Sequence, residues 1–323
     1  MNYLVSGGLG FIGSNLVKKL LNQKNTIKVV VYDNAKSGTK ASLNLCQNDA
    51  RLKIVIGDIH QKQLLVDSMR EIDTVFHLAA NPDISKAESE PTLDFREGTE
   101  LTQIMLEAAR INNVQRFIFT SGSGVYGEVR DQVFSESYGP CFPISPYGAA
   151  KLGSEALISA YCHMFKMNGI AFRFANVVGP NQTHGVGYDF VQKLKADNKK
   201  LIVLGDGSQK KSYIYITDVL DAIEKVIDGQ SNGIAFDVYN VATSDYVTVN
   251  EIAEIAIEAM GIKKDSLTIQ HTGGDRGWNG DVPKVLFDTS KVRSLGWMNQ
   301  YTSRDAITRS VREMILNFSL KSA

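Results

Sequence analysis

The sequence has little cysteine and no excess of charge of either sign. Its 323 residues include three cysteines, Cys46, Cys141 and Cys162, with unrelated spacings and no Cys-x-x-Cys pair, so neither a disulfide framework nor a zinc knuckle is predicted. Lysine plus arginine number 35, and so do aspartate plus glutamate. This balance argues against a nucleic-acid or membrane-surface binder, which usually shows a basic excess. We expect no nucleic-acid partner.

Long apolar runs and clustered histidines are also absent. No run approaches the roughly 20 apolar residues needed to cross a bilayer. The N-terminus opens on a strand pattern, not on the charged and apolar regions of a signal peptide. The five histidines include no chelating pair on one helix face, so no metal site is expected. We expect a cytoplasmic protein without a membrane association.

Short apolar runs alternate with helical patterns through the first half of the chain. Continuous apolar strands that alternate with helices are typical of a parallel sheet covered on both faces. The sequence therefore predicts an α/β fold with a doubly wound, Rossmann-like parallel sheet. The predicted strands are 3–5, 29–32, 54–56, 74–78, 116–120 and 170–174, and the predicted helices are 12–21, 61–69, 99–111 and 147–165.

A glycine-rich turn follows the first predicted strand and opens the first helix. Gly7, Gly10 and Gly13 have the spacing Gly-x-x-Gly-x-x-Gly. A pyrophosphate must approach backbone N–H groups and the positive end of a helix there, and a Cβ would obstruct it. Position and spacing together predict a dinucleotide site.

Polar and small residues at the ends of the next strands fit the rest of a dinucleotide. Asp33 ends the second strand 20 residues after Gly13, where a carboxylate can accept the ribose hydroxyls and repel a 2′-phosphate. This favours NAD over NADP. Asp58 follows the third strand and is placed for the adenine amine. Leu78, Ala79 and Ala80 follow the fourth strand and offer a flat surface along the cofactor.

After about residue 180 the strand–helix rhythm loosens and turn-rich loops separate shorter elements. They are 179–181, 205–207 and 273–277. We expect residues 1–180 to form the NAD-binding domain. Residues 181–323 would form mainly a smaller α/β substrate-binding domain, with some segments returning to the first. A loop-rich edge of a single domain is the alternative.

A phenol and an ammonium are placed four residues apart at the start of a predicted helix. Tyr147 and Lys151 therefore lie on one helix face. A phenol with an ordinary pKa near 10 is a poor base at neutral pH, and an adjacent cation lowers that pKa. The pair is a candidate catalytic base and its activating cation.

These motifs resemble the extended short-chain dehydrogenase/reductase family, and within it the UDP-glucose 4-epimerases of archaeal and bacterial type. The likeness runs from Met1 to about residue 315. It implies tightly held NAD, a UDP-sugar substrate and a homodimer formed through paired helices. The motifs that carry it are 7–13, 33–34, 57–59, 77–80, 125–127, 145–147, 173–176, 205–209 and 275–278.

The resemblance also implies roles for individual residues. Tyr147 would take the proton of the sugar 4-hydroxyl, and Lys151 would hold the nicotinamide ribose, in a C4 epimerisation of a UDP-hexose through a 4-keto sugar. The implied cofactor contacts are Gly7, Gly10, Phe11, Ile12, Gly13, Asp33, Asn34, Gly38, Asp58, Ile59, Leu78, Ala79, Ala80, Tyr147, Lys151 and Phe174. The implied substrate contacts are Asn176 for the pyrophosphate, Gly185, Val186 and Leu204 for uracil, Lys211, Arg276 and Asp281 for the diphosphate and ribose, and Val285 beside the sugar 2-substituent.

Three positions depart from the family pattern. Gly122 stands where the family usually has Ser or Thr to bond the sugar hydroxyl, and Ser121 or Ser123 is a candidate replacement unless Tyr147 acts directly. Lys211 replaces an Arg, which loses a bidentate contact with phosphate. Phe95 replaces an Asn that contacts the cofactor.

Other reactions on the same fold stay open. Sugar-nucleotide 4,6-dehydratases of the family carry Asp-Glu at the positions of Ser123 and Gly124, and the decarboxylases carry Glu at the second, so both lack their acid here. A simple reductase is not excluded. A non-catalytic NAD sensor or scaffold is a further alternative, although Tyr147 and Lys151 are both retained.

Overall fold

The computed structural model describes residues 1–129, 132–229 and 233–322, with side chains up to residue 318. The chain divides into two compact units. The first unit comprises Met1–Val125, Ser145–Arg173 and Asp228–Tyr239. The second comprises Tyr126–Ile144, Phe174–Ile227 and Asn240–Ala323.

The described residues form fifteen strands and nine α-helices. The strands are β1 (Asn2–Ser6), β2 (Lys28–Asp33), β3 (Leu52–Ile56), β4 (Thr74–His77), β5 (Arg116–Gly122), β6 (Val133–Phe134), β7 (Asn168–Phe174), β8 (Asn176–Val178), β9 (Lys200–Val203), β10 (Lys210–Lys211), β11 (Tyr213–Tyr215), β12 (Phe236–Val241), β13 (Val247–Thr248), β14 (Thr268–His271) and β15 (Leu286–Phe287). The helices are α1 (Phe11–Asn22), α2 (Lys62–Ser68), α3 (Leu101–Ile111), α4 (Pro146–Phe165), α5 (Val186–Ala196), α6 (Ile216–Gly229), α7 (Val249–Ala259), α8 (Ser290–Ser294) and α9 (Ser303–Ser322).

The first unit is built on a seven-stranded sheet with the order β12-β7-β5-β4-β1-β2-β3. The five strands from β3 to β5 pair in parallel. Because β1 lies in the middle and the order reverses beside it, the sheet is doubly wound. The predicted α/β fold with a Rossmann-like sheet is confirmed.

Apolar side chains on both faces of this sheet explain why its strands read as continuous apolar runs. On one face, Leu4 of β1 and Val30 of β2 are fully buried in one hydrophobic cluster, and on the other face their neighbours Val5 and Val31 are fully buried as well. Helix α3 buries Met105 and Leu106 in the same cluster. Burying each such side chain stabilises the fold by about 1.5–3 kcal/mol.

Among its described residues, the second unit holds four two-stranded sheets, formed by the pairs β10–β13, β8–β11, β9–β14 and β6–β15. Helices α5, α7 and α9 pack against one another. Helix α7 begins at a capping box, in which the Thr248 side chain accepts from the Glu251 N–H and the Glu251 carboxylate accepts from the Thr248 N–H. The buried Trp297 donates its ring N–H to the Asp218 carbonyl oxygen at 2.9 Å.

One predicted helix differs from the structure at its start. The pattern predicts a helix over 99–111, and the structure has a π-helical segment, Phe95–Glu100, that leads directly into α3. A π-helix admits an extra residue per turn, and apolar periodicity gives no signal for it. The segment packs against α4. In the part of the chain that is described, no helix is long and apolar enough to cross a membrane.

Candidate active site

The glycine turn closes tightly between β1 and α1. Gly7 has φ +70°, a conformation that favours glycine, and its carbonyl oxygen accepts from the Gly10 N–H at 3.1 Å. A Cβ on Gly13 would overlap the Gly7 carbonyl oxygen. The turn therefore leaves backbone and the start of α1 open to an approaching anion.

Two further chain segments pack on this turn at the same close range. A Cβ on Gly7 would lie 2.9 Å from the Ala79 nitrogen, and a Cβ on Gly38 would lie 2.8 Å from the Gly10 nitrogen. The Leu78 N–H donates to the Ser6 carbonyl oxygen at 3.2 Å. The predicted contacts Gly38, Leu78 and Ala79 are thus brought to the glycine turn, and their contact with a cofactor stays a prediction.

Asp33 ends β2 with its carboxylate buried against the turn. Its Oδ2 accepts from the Leu9 N–H at 2.9 Å, and its Oδ1 accepts from the Ala35 N–H at 2.8 Å. A carboxylate has about four acceptor sites, so both oxygens retain capacity for hydroxyl donors. Asp33 can therefore bind a ribose and stabilise the glycine turn at the same time.

Asp58, after β3, is engaged by a residue that sequence reasoning missed. Its Oδ1 lies 3.0 Å from the His60 backbone nitrogen and 2.7 Å from His60 Nδ1. The His60 backbone N–H is the main cause that holds the pKa of Asp58 below its usual range. Lys36 Nζ lies 3.8 Å away. The neighbouring Ile59 is buried, and Asn34 is exposed.

Tyr147 lies in the first turn of α4. Ser145 caps the helix by accepting from the Gly148 N–H at 3.1 Å, and Pro146 follows with its fixed φ. Burial raises the pKa of Tyr147 to about 12, with a further contribution from Asp94. Without an added positive charge, this phenol stays protonated at neutral pH.

Lys151 supplies that positive charge one turn further along α4. Its side chain is buried, and Nζ donates to the Thr120 carbonyl oxygen at 2.8 Å. The same Nζ lies 5.5 Å from the centre of the Tyr147 ring and 4.7 Å from that of Phe119. Burial lowers the pKa of Lys151 to about 8, against the opposing effect of two carboxylates, Glu155 and Asp94. The predicted Tyr–Lys pair does share one helix face.

A buried ion pair lies one turn beyond Lys151 on α4. Arg173 donates to Glu155 through Nε at 3.1 Å and Nη2 at 2.6 Å. Ser121, a candidate replacement for the missing hydroxyl, donates to the same carboxylate at 2.5 Å. Glu155 was missed from the sequence, although its position four residues after Lys151 places it on the same helix face.

At the end of β5, Gly122 and Gly124 have no side chain where the family pattern has one. A Cβ on Gly122 would meet no heavy atom within 4 Å, whereas one on Gly124 would lie 3.3 Å from the Gly148 Cα. Ser123, the other candidate hydroxyl, lies between them in a half-buried 3₁₀ turn. Gly122 therefore leaves open space at the end of the strand.

Two buried polar residues near the Tyr–Lys pair were not anticipated. Asn81 donates through Nδ2 to Asp94 Oδ1 at 2.9 Å. Both residues line a small cavity together with Ala80, Tyr147 and Lys151. No sequence signal indicated them, because neither belongs to a recognisable motif or follows a helical period with α4.

Three predicted substrate residues of the second unit, Lys211, Arg276 and Asp281, form ion pairs within that unit. Lys211 Nζ forms an ion pair with Asp281 Oδ1, and the Gly277 N–H donates to Asp281 Oδ2 at 3.2 Å. Leu204 is close as well, since a Cβ on Gly277 would lie 3.7 Å from its Cβ. Arg276 faces both oxygens of Glu128 at 3.3 Å, a partner that the sequence did not suggest.

The remaining predicted substrate residues take separate positions in this unit. Asn176 is exposed and donates to the Ser212 carbonyl oxygen at 3.2 Å. Gly185, with φ +95°, precedes α5, and Val186 is its first residue. Val285 is buried just before β15, and the predicted cofactor contact Phe174 is buried as well. Their contact with a ligand stays a prediction.

Three features fit a dinucleotide. They are the glycine turn, which a Cβ on Gly13 would block, the carboxylate of Asp33, and the flat segment of Leu78 and Ala79. With the Tyr–Lys pair on α4, they define an NAD-binding protein of the short-chain dehydrogenase/reductase class. The chain belongs to the NAD dependent epimerase/dehydratase family, whose model matches residues 3–242.

The chain is similar over its whole length to enzymes of two reaction types. A UDP-glucose 4-epimerase of Mycolicibacterium smegmatis is 29% identical over 320 residues, which is 96% of this chain and 97% of that protein. A solved UDP-galactose 4-epimerase has a TM-score of 0.85 at 33% identity, covering 98% and 99% of the two chains. A dTDP-glucose 4,6-dehydratase from Streptomyces venezuelae, solved with NAD and TYD bound, has a TM-score of 0.89 at 28% identity, covering 99% and 98%. Overall similarity therefore does not separate the two reactions.

Proposed function

We propose that this protein interconverts UDP-hexoses by inverting carbon 4, with NAD as a resident cofactor. The observation that carries the proposal is the pair of half-buried Tyr147 and buried Lys151, together with the absence of an acid at Ser123 and Gly124 just after β5. Such a site can move the proton of a hydroxyl, and it lacks a carboxylic acid at those two positions to expel water from the sugar.

Each residue of the pair has a defined task in this scheme. Tyr147 Oη removes the proton of the 4-hydroxyl and returns it after the inversion. Lys151 lowers the cost of the phenolate, because a buried ammonium favours a nearby negative charge. NAD, when bound, would supply a reversible acceptor for the hydride of carbon 4, so that no reductant would be consumed. The glycine turn and Asp33 would hold it.

The second unit offers groups for the nucleotide part of the substrate. We propose that Lys211 and Arg276 bind the diphosphate and that Asp281 binds the uridine ribose. Both cations already face carboxylates, Lys211 facing Asp281 and Arg276 facing Glu128. Binding of a diphosphate would then exchange one anionic partner for another, which limits the desolvation cost.

A product survey tests this proposal directly. The purified protein is incubated with UDP-glucose and UDP-galactose, with no added reductant, and the sugar is followed by NMR. We expect interconversion at carbon 4, and the Tyr147→Phe variant should be slower by about 10²–10⁴-fold while it keeps its melting temperature. Near-parental turnover in the variant, or a 6-deoxy-4-keto sugar from the parent protein, would refute the proposal.

The small side chain at Val285 predicts a broad sugar pocket. In the family a large Tyr beside the sugar 2-substituent is associated with the exclusion of N-acetyl sugars, and valine leaves room there. We expect UDP-N-acetylglucosamine and UDP-N-acetylgalactosamine to be converted as well, and Val285→Tyr to remove this activity while sparing UDP-galactose. The measurement compares kcat/KM of the parent protein and of Val285→Tyr for all four UDP-sugars. Rejection of both N-acetyl sugars by the parent protein, alongside turnover of UDP-galactose, contradicts the prediction.

A further inference from the structure

Asp94 is a buried carboxylate with one oxygen left without a partner. The residue is 2% exposed and lies just before the π-helical segment Phe95–Glu100. Its Oδ1 accepts from Asn81, but its buried Oδ2 has no hydrogen-bond partner among the described residues. Removing such a group from water is costly unless something compensates its charge.

The cavity beside Asp94 is also lined by the catalytic pair. Asp94, Tyr147 and Lys151 all line it, and every lining residue belongs to the first unit. Both α4 side chains respond to this carboxylate, since Asp94 raises the pKa of Tyr147 and opposes the lowering of the pKa of Lys151. Asp94 therefore acts on the site through space, without a direct contact to either group.

The other charges around Lys151 are already balanced or lie nearer solvent. Glu155, one turn along α4, is held by both Arg173 and Ser121. His77 on β4 is buried, and burial lowers its pKa to about 3, so it stays neutral. Glu97, on the π-helical segment, is half-buried, and solvent screens it more than Asp94.

We propose that Asp94 is a positioning residue for the catalytic pair, whose buried charge keeps Lys151 protonated beside Tyr147. For its catalytic consequence this inference rests on the function proposed above. Asp94 is suited to this task because no cation is paired with its carboxylate among the described residues, whereas the charge of Glu155 is neutralised by Arg173. Without Asp94, only Glu155, which Arg173 shares, would oppose the effect of burial, so the Lys151 ammonium would move toward its neutral form and the phenol would lose part of its activating charge.

The sign of the effect follows from the charges. A negative neighbour raises the pKa of both a lysine and a tyrosine, so its removal lowers both. The pKa of Lys151 stands at about 8 with Asp94 present, and the Asp94 charge raises it less than the Glu155 charge does. Asp94→Asn should therefore move both the acidic and the alkaline limb of the pH profile of kcat/KM to lower pH. The loss of activity on the alkaline side should then begin in the neutral range.

The direct test is a titration of Lys151 by NMR in the full-length protein with ¹³C-labelled lysine, the signal being assigned by its loss in Lys151→Arg. In Asp94→Asn the midpoint should fall by about one pH unit or more. Asp94→Glu keeps the charge and should restore the parental midpoint even where turnover is reduced. Glu97→Gln removes a carboxylate from the same cavity and should move the midpoint less.

The outcomes separate this inference from the proposed function. A Lys151 midpoint that is the same in Asp94→Asn and in the parent overturns the inference, whatever the enzyme turns over. A lowered midpoint in a protein that converts no UDP-hexose supports the charge effect and refutes the function. If Asp94→Asn does not fold, as judged by circular dichroism, Asp94→Ser removes the same charge with space for water, and the same midpoint comparison decides.

Discussion

At the scale of single residues, the end of β5 shows what the chain lacks. The family pattern has a hydroxyl at the position of Gly122, and here a Cβ would enter open space. Of the two serines that flank it, Ser121 donates a hydrogen bond to Glu155. We infer that a serine Cβ fits at this position without displacing a protein atom, and we expect its hydroxyl to donate a hydrogen bond to the sugar.

Gly122→Ser should raise kcat/KM for UDP-galactose by about 3–10-fold, because a hydrogen bond contributes about 0.5–1.5 kcal/mol. Gly124→Ser is the matched control two residues away. Its Cβ would lie 3.3 Å from the Gly148 Cα, so the start of α4 must shift and activity should fall. Steady-state kinetics on both variants decide. A decrease in kcat/KM for Gly122→Ser at an unchanged melting temperature contradicts this reading of the site.

Much of the site follows from local sequence, and the remainder depends on tertiary packing. The Tyr–Lys spacing predicted a shared helix face, because α-helical geometry fixes it. Asp94 could not be predicted, since its position depends on how the π-helical segment packs against α4. Arg276 was predicted to bind phosphate, but its contact with Glu128 joins residues 148 apart in the chain.

At the scale of elements, the turn between β1 and α1 is the most tightly constrained. Gly13→Ala should prevent the turn from closing, because its Cβ would overlap the Gly7 carbonyl oxygen. We expect the variant to purify with little NAD, measured from the absorbance of the released cofactor, and to melt at lower temperature.

Gly153→Ala is the matched control for that variant. This glycine lies inside α4, and its Cβ would meet Thr99 at 3.6 Å, an ordinary contact. Alanine is favoured over glycine in a helix interior, so stability should rise by about 1 kcal/mol with NAD content unchanged. Equal NAD content in the two variants would show that the turn does not need glycine at position 13.

The strands and helices of the first unit were predictable because buried parallel strands are apolar without interruption. The predicted strands 3–5 and 29–32 fall within β1 and β2. Short strands of the second unit gave no such signal. Strand β6 has two residues and pairs with β15, which is also of two residues and lies about 150 residues later. Local periodicity cannot specify such a pairing.

At the scale of the whole molecule, the resemblance implies a homodimer through paired helices. An exposed apolar surface on the first unit suits that role: Phe95 is 59% exposed and lies beside Pro91, Pro146 and Ala149. Phe95→Glu places a charge on this surface and should weaken the dimer by about tenfold or more, measured by sedimentation equilibrium.

Leu316→Glu is the control for surface charge. Leu316 is 63% exposed but lies on α9 in the second unit. The parent and this variant should sediment as dimers of equal stability. A monomeric parent protein, or equal weakening by both substitutions, contradicts the assignment of the dimer to the first unit.

The central claim is that the hydrogen of carbon 4 leaves the sugar and returns to the same carbon. The most direct test is incubation of the purified protein with UDP-galactose deuterated at carbon 4, with no added cofactor, followed by NMR. The account predicts UDP-glucose that retains the deuterium at carbon 4. Deuterium at carbon 6 of a 6-deoxy-4-keto sugar would contradict it, because the reaction would then be a dehydration.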